Sequence, residues 1–533
     1  TLDDLKSNSD LRATAGVSSP LPRQELSFLR GYLADAFETL PHGNISRKAM
    51  LEALKPDRIL EAISLEWQLL ENTAIYPGMP VHDVDAALLG SPNFVRTQLR
   101  IQIWKALYAL VCEGGPEKSG RLVRCQDDNG KSAVQVRWRE DIKSEWADSI
   151  VITMDATLNK DMVAPYFDRP LITLPSSRVA LCHVNVLQVI DRSFGASSLI
   201  PSADSDDNRR LNRAREVYWW ICLRAIQYRG QGSNDVDVFV VCQKDLEIIL
   251  VDWGVPDNVE IAHFNAIRGL DRWGGVRCQI VIGRVMPKPA DVEALAEALT
   301  GSVILHKIPI GEWYPKETVG ITLEDGTGWA VENDRHPDAA AEGIRHQICE
   351  GELIQAIGRA RAVNRTAETP LQIDILTDIC LPLTVHQPIR WAEHAPGIIE
   401  AMLSYGLIVG SFTDSSLIYP GLFQTEDAAR KAAGRKSMKL TSSIPNPDIP
   451  HYICSIWGMS GLGSAIAHNY TPALATVCRG ERSTVIPVIF DPHQIADPAA
   501  WLSARLGVDV QVITGPEANA EWAKRQKRKA GRK

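Results

Sequence analysis

Apolar positions along the chain fall into three regimes. After a polar lead-in to about residue 20, the stretch from Pro22 to about Glu113 is mainly helical. Leu26, Leu29, Leu33 and Phe37 recur at spacings of three and four and so share one helix face, and residues 96–112 read the same way. Residues 121–138 then read as two strands joined at Asn129-Gly130, a hairpin turn signal. From about Asp148 the pattern changes to short apolar runs. Residues 149–154 are a β-branched run ending in a polar turn, followed by runs at 170–174 and 179–190. A polar stretch, 202–215, leads into a helix through Trp219, Trp220 and Ile226. Strands at 236–243, 258–264, 278–283 and 371–377 alternate with helices at 244–254, from Asp291 to Gly301, and from about Asp338 to Arg361. Apolar strands alternating with helices argue a parallel α/β sheet. Beyond about Leu383, short helices (428–435, 498–507) mix with short strands (483–490, 509–514). The expected organisation is a helical module with a hairpin at 1–147, an α/β lobe at 148–385 and an accessory α+β domain with a basic tail at 386–533.

Composition narrows the function classes. Hydrophobic residues make up 45% and charged residues 23%, an ordinary globular balance. The net charge is −8, so a nucleic-acid partner must be met by a local basic surface. One candidate is the C-terminal run of Lys524, Arg525, Lys527, Arg528, Lys529, Arg532 and Lys533, which a solvated tail explains equally well. The cysteines come no closer than Cys112 and Cys125, so no CxxC motif exists, and many lie inside apolar runs, as small buried hydrophobes of a reducing compartment do. The histidines form no metal-ligand spacing. No apolar run approaches membrane-spanning length, and a cytoplasmic location is expected. The chain opens on Thr1, which suggests a start inside a longer reading frame.

Two constellations carry chemistry. The first is the loop from His263 to Trp273, between two strands. Gly269 there permits close backbone approach, Asn265 and Asp271 suit a sugar hydroxyl or a water, and Arg268 suits a phosphate. A capped surface loop explains it too. The second is Gln355, Gly358, Arg359, Arg361 and Arg365, preceded by Glu350 and Glu352. Three arginines within seven residues make an anion-binding array suited to charge on transferring phosphoryl oxygens, or else an exposed basic helix end.

In this order, the R-G-L-D loop followed by a helix bearing Q-x-x-G-R resembles motifs V and VI of superfamily-two helicases, the DEAD/DEAH-like group. Residues 236–243 take the place of motif IV, and Asp155-Ala156-Thr157 resembles motif III. More narrowly, residues 263–273, 279–299 and 352–378 resemble helicase-type proteins of phages and plasmids, where such motors accompany replication or primase modules. The resemblance covers about residues 148–385. It implies a RecA-like parallel-sheet lobe of the P-loop NTPase kind, ATP and Mg as cofactors held mainly by another lobe, and single-stranded or duplex DNA as partner, with RNA not excluded and no membrane. It further implies that Arg359 is an arginine finger with Arg361 or Arg365 beside it. Gln355 would sense the phosphates, and Gly269, Asp271, Gly358 and Arg365 would face the nucleotide. Arg268 and Thr157 would lie at the nucleic acid, and Asp155 would couple the two. Apart from the resemblance, Asn265 and Trp273, the latter a ring with charged neighbours beside the R-G-L-D loop, are further candidates for nucleic-acid contact. Trp313, Tyr314 and Trp391 are further aromatics that could stack on bases, although packing is the simpler role for each.

The chain departs from the family in two ways. Ala362 stands where many members carry a second motif VI arginine. The phosphate loop G-x-x-x-x-G-K-[ST] is also missing: the only G-K-S is Gly130-Lys131-Ser132, with Cys125 where the first Gly belongs, and no acidic box precedes the motif III residues. Ser460-Gly461-Leu462-Gly463-Ser464 lacks a Lys and reads as a turn, and the patch of Arg430, Lys431, Arg435 and Lys436 fits phosphate contact or a solvated helix face. Two expectations follow. In one, the chain is the back half of an ATP-dependent helicase or translocase whose phosphate-gripping lobe lies upstream, with residues 1–145 inserted between motifs II and III. In the other, it is a non-enzymatic nucleic-acid-binding replication accessory with a degenerate helicase lobe.

Overall fold

The computed structural model describes residues 1–7, 21–69, 76, 78–89, 92–143, 146, 149–167, 169–174, 181–201, 208–232, 236–434 and 470–530. The chain folds into two compact units. One comprises Thr1–Pro175, Met286–Lys316 and Asp334–Ile348; the other comprises Ser176–Val285, Glu317–Asn333 and Cys349–Lys533.

In the first unit, helices Leu21–Glu38, Pro56–Gln68 and Pro92–Val111 bury Leu26, Leu29, Leu33, Phe37, Ile59, Trp104 and Leu107 in one core. The lead-in contributes as well: helix Leu2–Lys6, capped by Thr1, places Leu2 and Leu5 in that core. Inside it Arg30 and Glu66 form an ion pair with both side chains 1% exposed, and the Trp104 indole donates to the same carboxylate. Strands β1 (Gly43–Ser46), β2 (Lys118–Gln126) and β3 (Ser132–Val136) form an antiparallel sheet in that order. The β2–β3 turn contains Gly130 at φ 75°, a hairpin position and not a phosphate loop. Helix Pro289–Thr300 ends at Gly301, whose φ of 78° makes a left-handed cap. It packs with helix Ala339–His346 around Val292, Ala296, Tyr314 and Ile344.

The β-branched runs at 149–154 and 170–174 correct the strand expectation. Neither is a strand, and Ile150, Ile152, Met154 and Ile172 are almost fully exposed. Such runs become strands only where a neighbouring edge supplies hydrogen bonds, and none does so among the described residues.

The second unit is built on β4 (Val184–Val189), β5 (Val238–Cys242), β6 (Val259–His263), β7 (Cys278–Ile282), β10 (Leu371–Leu376) and β12 (Gln387–Ile389). All pairings are parallel, in the order β12-β4-β10-β7-β5-β6. β5, β7 and β10 are buried at every residue, which is why they read as predominantly apolar runs. Besides Gln279 of β7 and Gln372 of β10, the charged exception is Asp374 in β10. It is fully buried and accepts from the Trp220 indole at 2.8 Å and from Arg224 Nε at 2.6 Å. Helices Asn208–Gln227 and Lys244–Asp252 supply Ala214, Val217, Trp220, Leu246 and Leu250 to the core beside the sheet.

A hairpin without a clear apolar run, β8 (Lys316–Leu323) and β9 (Gly328–Asp334), pairs with the short β11 (Thr384–Val385). An antiparallel sheet of β13 (Leu407–Val409), β14 (Thr471–Arg479), β15 (Arg482–Phe490) and β16 (Val510–Thr514) follows, in the order β13-β15-β14-β16. Its core includes Leu223 and Ile226 of helix Asn208–Gln227, so this segment packs directly on the α/β layer. Lys524 and Arg525 lie on helix Gly515–Ala530.

The single helix expected from Asp338 to Arg361 is instead Ala339–His346, a π-helical segment Gln347–Gly351 and helix Glu352–Gly358. The wider turn preserves the apolar face, so periodicity did not reveal it. Among the described residues no helix is long and apolar enough to cross a membrane.

Candidate functional site

Two adjoining segments of the second unit meet at the parallel sheet. The first leaves β6 and returns to β7. It begins at Asn265, whose φ of 69° is rare for a residue with a side chain. That turn is held by Glu352, which is 3% exposed. Its Oε1 accepts the Asn265 N–H at 2.9 Å, and its Oε2 accepts Arg268 Nη2 at 2.6 Å and Nε at 3.2 Å. Gly269 follows at φ 75°, where a Cβ would be strained. Glu352 opens helix Glu352–Gly358, which is fixed to the sheet where the Gln279 amide of β7 donates to Ala356 O at 2.8 Å.

The second segment leaves that helix at Arg359. Arg359 Nη1 donates to Leu270 O at 3.1 Å, and its buried Nε has no partner. Arg361 takes the left-handed conformation, φ 52°, so it is not on a helix face at all. Its Nε donates to Asp271 at 2.6 Å, and its stem lies against Gly274. The bond from Arg361 holds the Asp271 carboxyl below the usual carboxylate range and raises Arg361 in turn. Arg365 turns inward. It is 8% exposed and donates to Ala360 O.

No family model, no curated protein and no solved structure matches this chain. The site therefore stands on its own geometry.

Asn265, Arg268, Gly269, Asp271, Arg359 and Arg361 share one interlocked patch through Glu352 and Leu270. Gln355 and Gly358 lie on the helix between the two segments. Asp155 and Thr157 belong to the other unit, where Asp155 Oδ1 accepts from the Thr157 N–H at 2.7 Å and Thr157 Oγ1 accepts from Gln347 at 3.1 Å.

Trp273 requires correction as a base-stacking residue. Its ring is 1% exposed, stacked 4.0 Å from Phe239 of β5 on one side, with the Arg272 guanidinium 4.9 Å from its centroid. It is a core residue with no free face. Tyr314 and Trp391 are buried as well, whereas Trp313 is half exposed. Arg430 and Lys431 are paired to Glu426 and Asp427 one turn away, as on a solvated helix face. Arg435, Lys436, Arg532, Lys533 and Ser460–Ser464 lie outside the described residues.

Sequence reading missed the role of Glu352. The available signal was a carboxylate three residues before Gln355 on an otherwise apolar helix face. The strand order also defines a second location. With right-handed crossovers, the connections leaving β5 and β7 diverge to opposite faces, and such a switch point usually holds a ligand beyond the carboxyl ends. Here it is filled by the chain itself. The Gln243 amide donates to Phe194 O at 3.4 Å and to Arg284 O at 3.3 Å, and Phe194 is fully buried.

Proposed function

We propose that this chain is the arginine-bearing half of a nucleic-acid-dependent ATPase motor, with a RecA-like lobe formed by the six parallel strands. The observation that carries this reading is the docking of the Arg359–Arg361 segment on the loop Asn265–Gly274, which joins the phosphate-seeking and strand-contacting residues into one body. A change in nucleotide state felt at Arg359 is then transmitted to Arg268 through Leu270 and Glu352. Arg359 is the member suited to a phosphate: among the described residues it donates one hydrogen bond, to the Leu270 carbonyl, and its Nε is unmatched. Arg361 is neutralised by Asp271 and serves to align the loop.

The residues present fit an ATP phosphate at Arg359. Among the described residues no group of three His, Cys, Asp or Glu is placed to hold a metal ion. With no G-x-x-x-x-G-K-[ST] loop in the sequence, the motor reading requires another lobe to grip the phosphates, and DNA of a replicating phage or plasmid is its expected track.

The test is single-strand affinity of the chain joined to the phosphate-gripping lobe that this reading requires, measured by fluorescence anisotropy with a non-hydrolysable ATP analogue, with ADP, and with neither. A motor half shows different affinities in these states, and Arg359→Ala abolishes the difference while leaving nucleotide-free binding intact. Equal affinity in all three states rejects the motor and leaves the second reading, a non-enzymatic nucleic-acid-binding module. The missing phosphate loop favours that second reading.

A further inference from the structure

Arg365 and Arg277 occupy the segments that lead into adjacent strands. Arg277 directly precedes β7, and its carbonyl accepts the N–H of Gln372 in β10 at 2.9 Å. Arg365 stands six residues before β10. Among the described residues neither guanidinium has a carboxylate partner. Arg365 donates through Nη2 to Ala360 O, and Arg277 donates through Nε to Gln231 O at 2.6 Å. Arg365 Nε and Arg277 Nη1 are buried with no partner among the described residues.

This arrangement is electrostatically incomplete. A guanidinium is not deprotonated near neutral pH, and a buried cation without a counter-charge costs several kcal/mol. Arg365 is more than nine-tenths buried. Burial, and then the neighbouring Arg277 charge, push it down to about 10, so it remains a cation at pH 7. Protein interiors satisfy buried N–H groups with few exceptions, and here two are left over on two cations that repel each other. Both facts are resolved by one acceptor-rich anion.

We propose that Arg277 and Arg365 form an oxyanion site for a dianionic phosphate, either inorganic phosphate or the terminal phosphate of a monoester. Two fixed positive charges match a dianion better than the single charge of a phosphodiester, and guanidinium forks match tetrahedral oxygens. The site shares Arg365 with the arginine array but does not depend on the motor reading. Arg277 belongs to neither constellation that suggested that reading.

The test uses the full chain in phosphate-free buffer. Inorganic phosphate, adenosine monophosphate and a dinucleotide lacking terminal phosphates are titrated by calorimetry, each with a thermal melt. Saturable binding of phosphate is expected, with a rise in Tm. Arg277→Gln and Arg365→Met should each weaken that binding at least about tenfold, the scale of a lost charged hydrogen bond, and abolish the rise in Tm. Arg277→Lys, which keeps the charge, should fall between. Adenosine monophosphate binding alongside phosphate identifies a nucleotide monoester as the source, and phosphate alone identifies the free ion. Absence of saturable phosphate binding, unchanged binding in both variants, or binding of the dinucleotide alone overturns the site. Should Arg365→Met fail to fold, Arg277→Gln at the half-buried position carries the test.

Discussion

Glu352 shows how much one buried carboxylate can organise. It fixes a left-handed turn at Asn265 and orients Arg268, whose side chain is 66% exposed. Removing one partner of a fully buried pair costs about 3–5 kcal/mol, and the exposure of Arg268 lowers that figure. Glu352→Ala should destabilise the protein by about 2 kcal/mol, read as a lower urea midpoint at unchanged slope, while Glu352→Gln, which keeps an acceptor, should lose less. Arg359→Ala breaks one carbonyl contact and should cost under about 1 kcal/mol, so any loss of nucleotide coupling in that variant is not a folding effect. The residue types at these positions were legible in the sequence, but their partners were not. The helical pattern gave Arg361 a helix face, whereas a positive φ sends it to Asp271. Trp273 was placed at the nucleic acid because of its charged neighbours, and the opposing Phe239 across the β5 face comes from a strand more than thirty residues away.

The elements most legible in the sequence are those whose burial is complete. β5, β7 and β10 have no polar face to obscure the apolar run apart from Asp374 and two glutamines. The β8–β9 hairpin was not legible because most of its residues are exposed and its alternation is weak. Runs 149–154 and 170–174 erred in the opposite direction, since composition reports a strand's preference and not the presence of an edge to pair with. Gly283, at the end of β7, carries an element-scale prediction. Its φ is 70°, and an added Cβ would lie 2.2 Å from Phe194 O. Gly283→Ala should therefore cost about 3 kcal/mol or more, combining left-handed strain with a backbone clash, and show as a loss of cooperative unfolding at moderate temperature. Helix Ile398–Ser404 carries another. Glu400 accepts the Gly397 N–H at 3.0 Å, and burial pushes its carboxyl up to about 7. A raised carboxyl binds its proton more tightly folded than unfolded, so stability falls as pH rises from about 4.5 to about 7 and levels off above. The difference amounts to about 3 kcal/mol. Glu400→Gln should remove that slope and be the more stable protein above pH 7, as measured by urea unfolding at a series of pH values.

At the scale of the whole molecule, a net charge of −8 opposes any polyanion, so binding to a nucleic acid must come from a small positive surface. The described candidates are Arg268, held outward by Glu352, and helix Gly515–Ala530, with exposed Lys524 and Arg525. Paired cations such as Arg430 and Lys431 contribute little, because a phosphate would have to displace their carboxylates. Salt dependence separates these contributions. For single strands the logarithm of the binding constant falls with the logarithm of salt by about 0.7 per neutralised phosphate. The basic run beginning at Lys524 carries seven cations. If about five of them engage, truncation before Lys524 should reduce the slope by about 3, whereas Arg268→Gln should reduce it by less than one. The two changes should add, since one lies in a loop of the parallel sheet and the other on the terminal helix. A truncation that leaves the slope unchanged means that the helix is a solvated end. On the proposed reading the strand contact would then rest on the loop that Glu352 holds in place, and affinity should collapse in Glu352→Ala even under conditions where that variant remains folded.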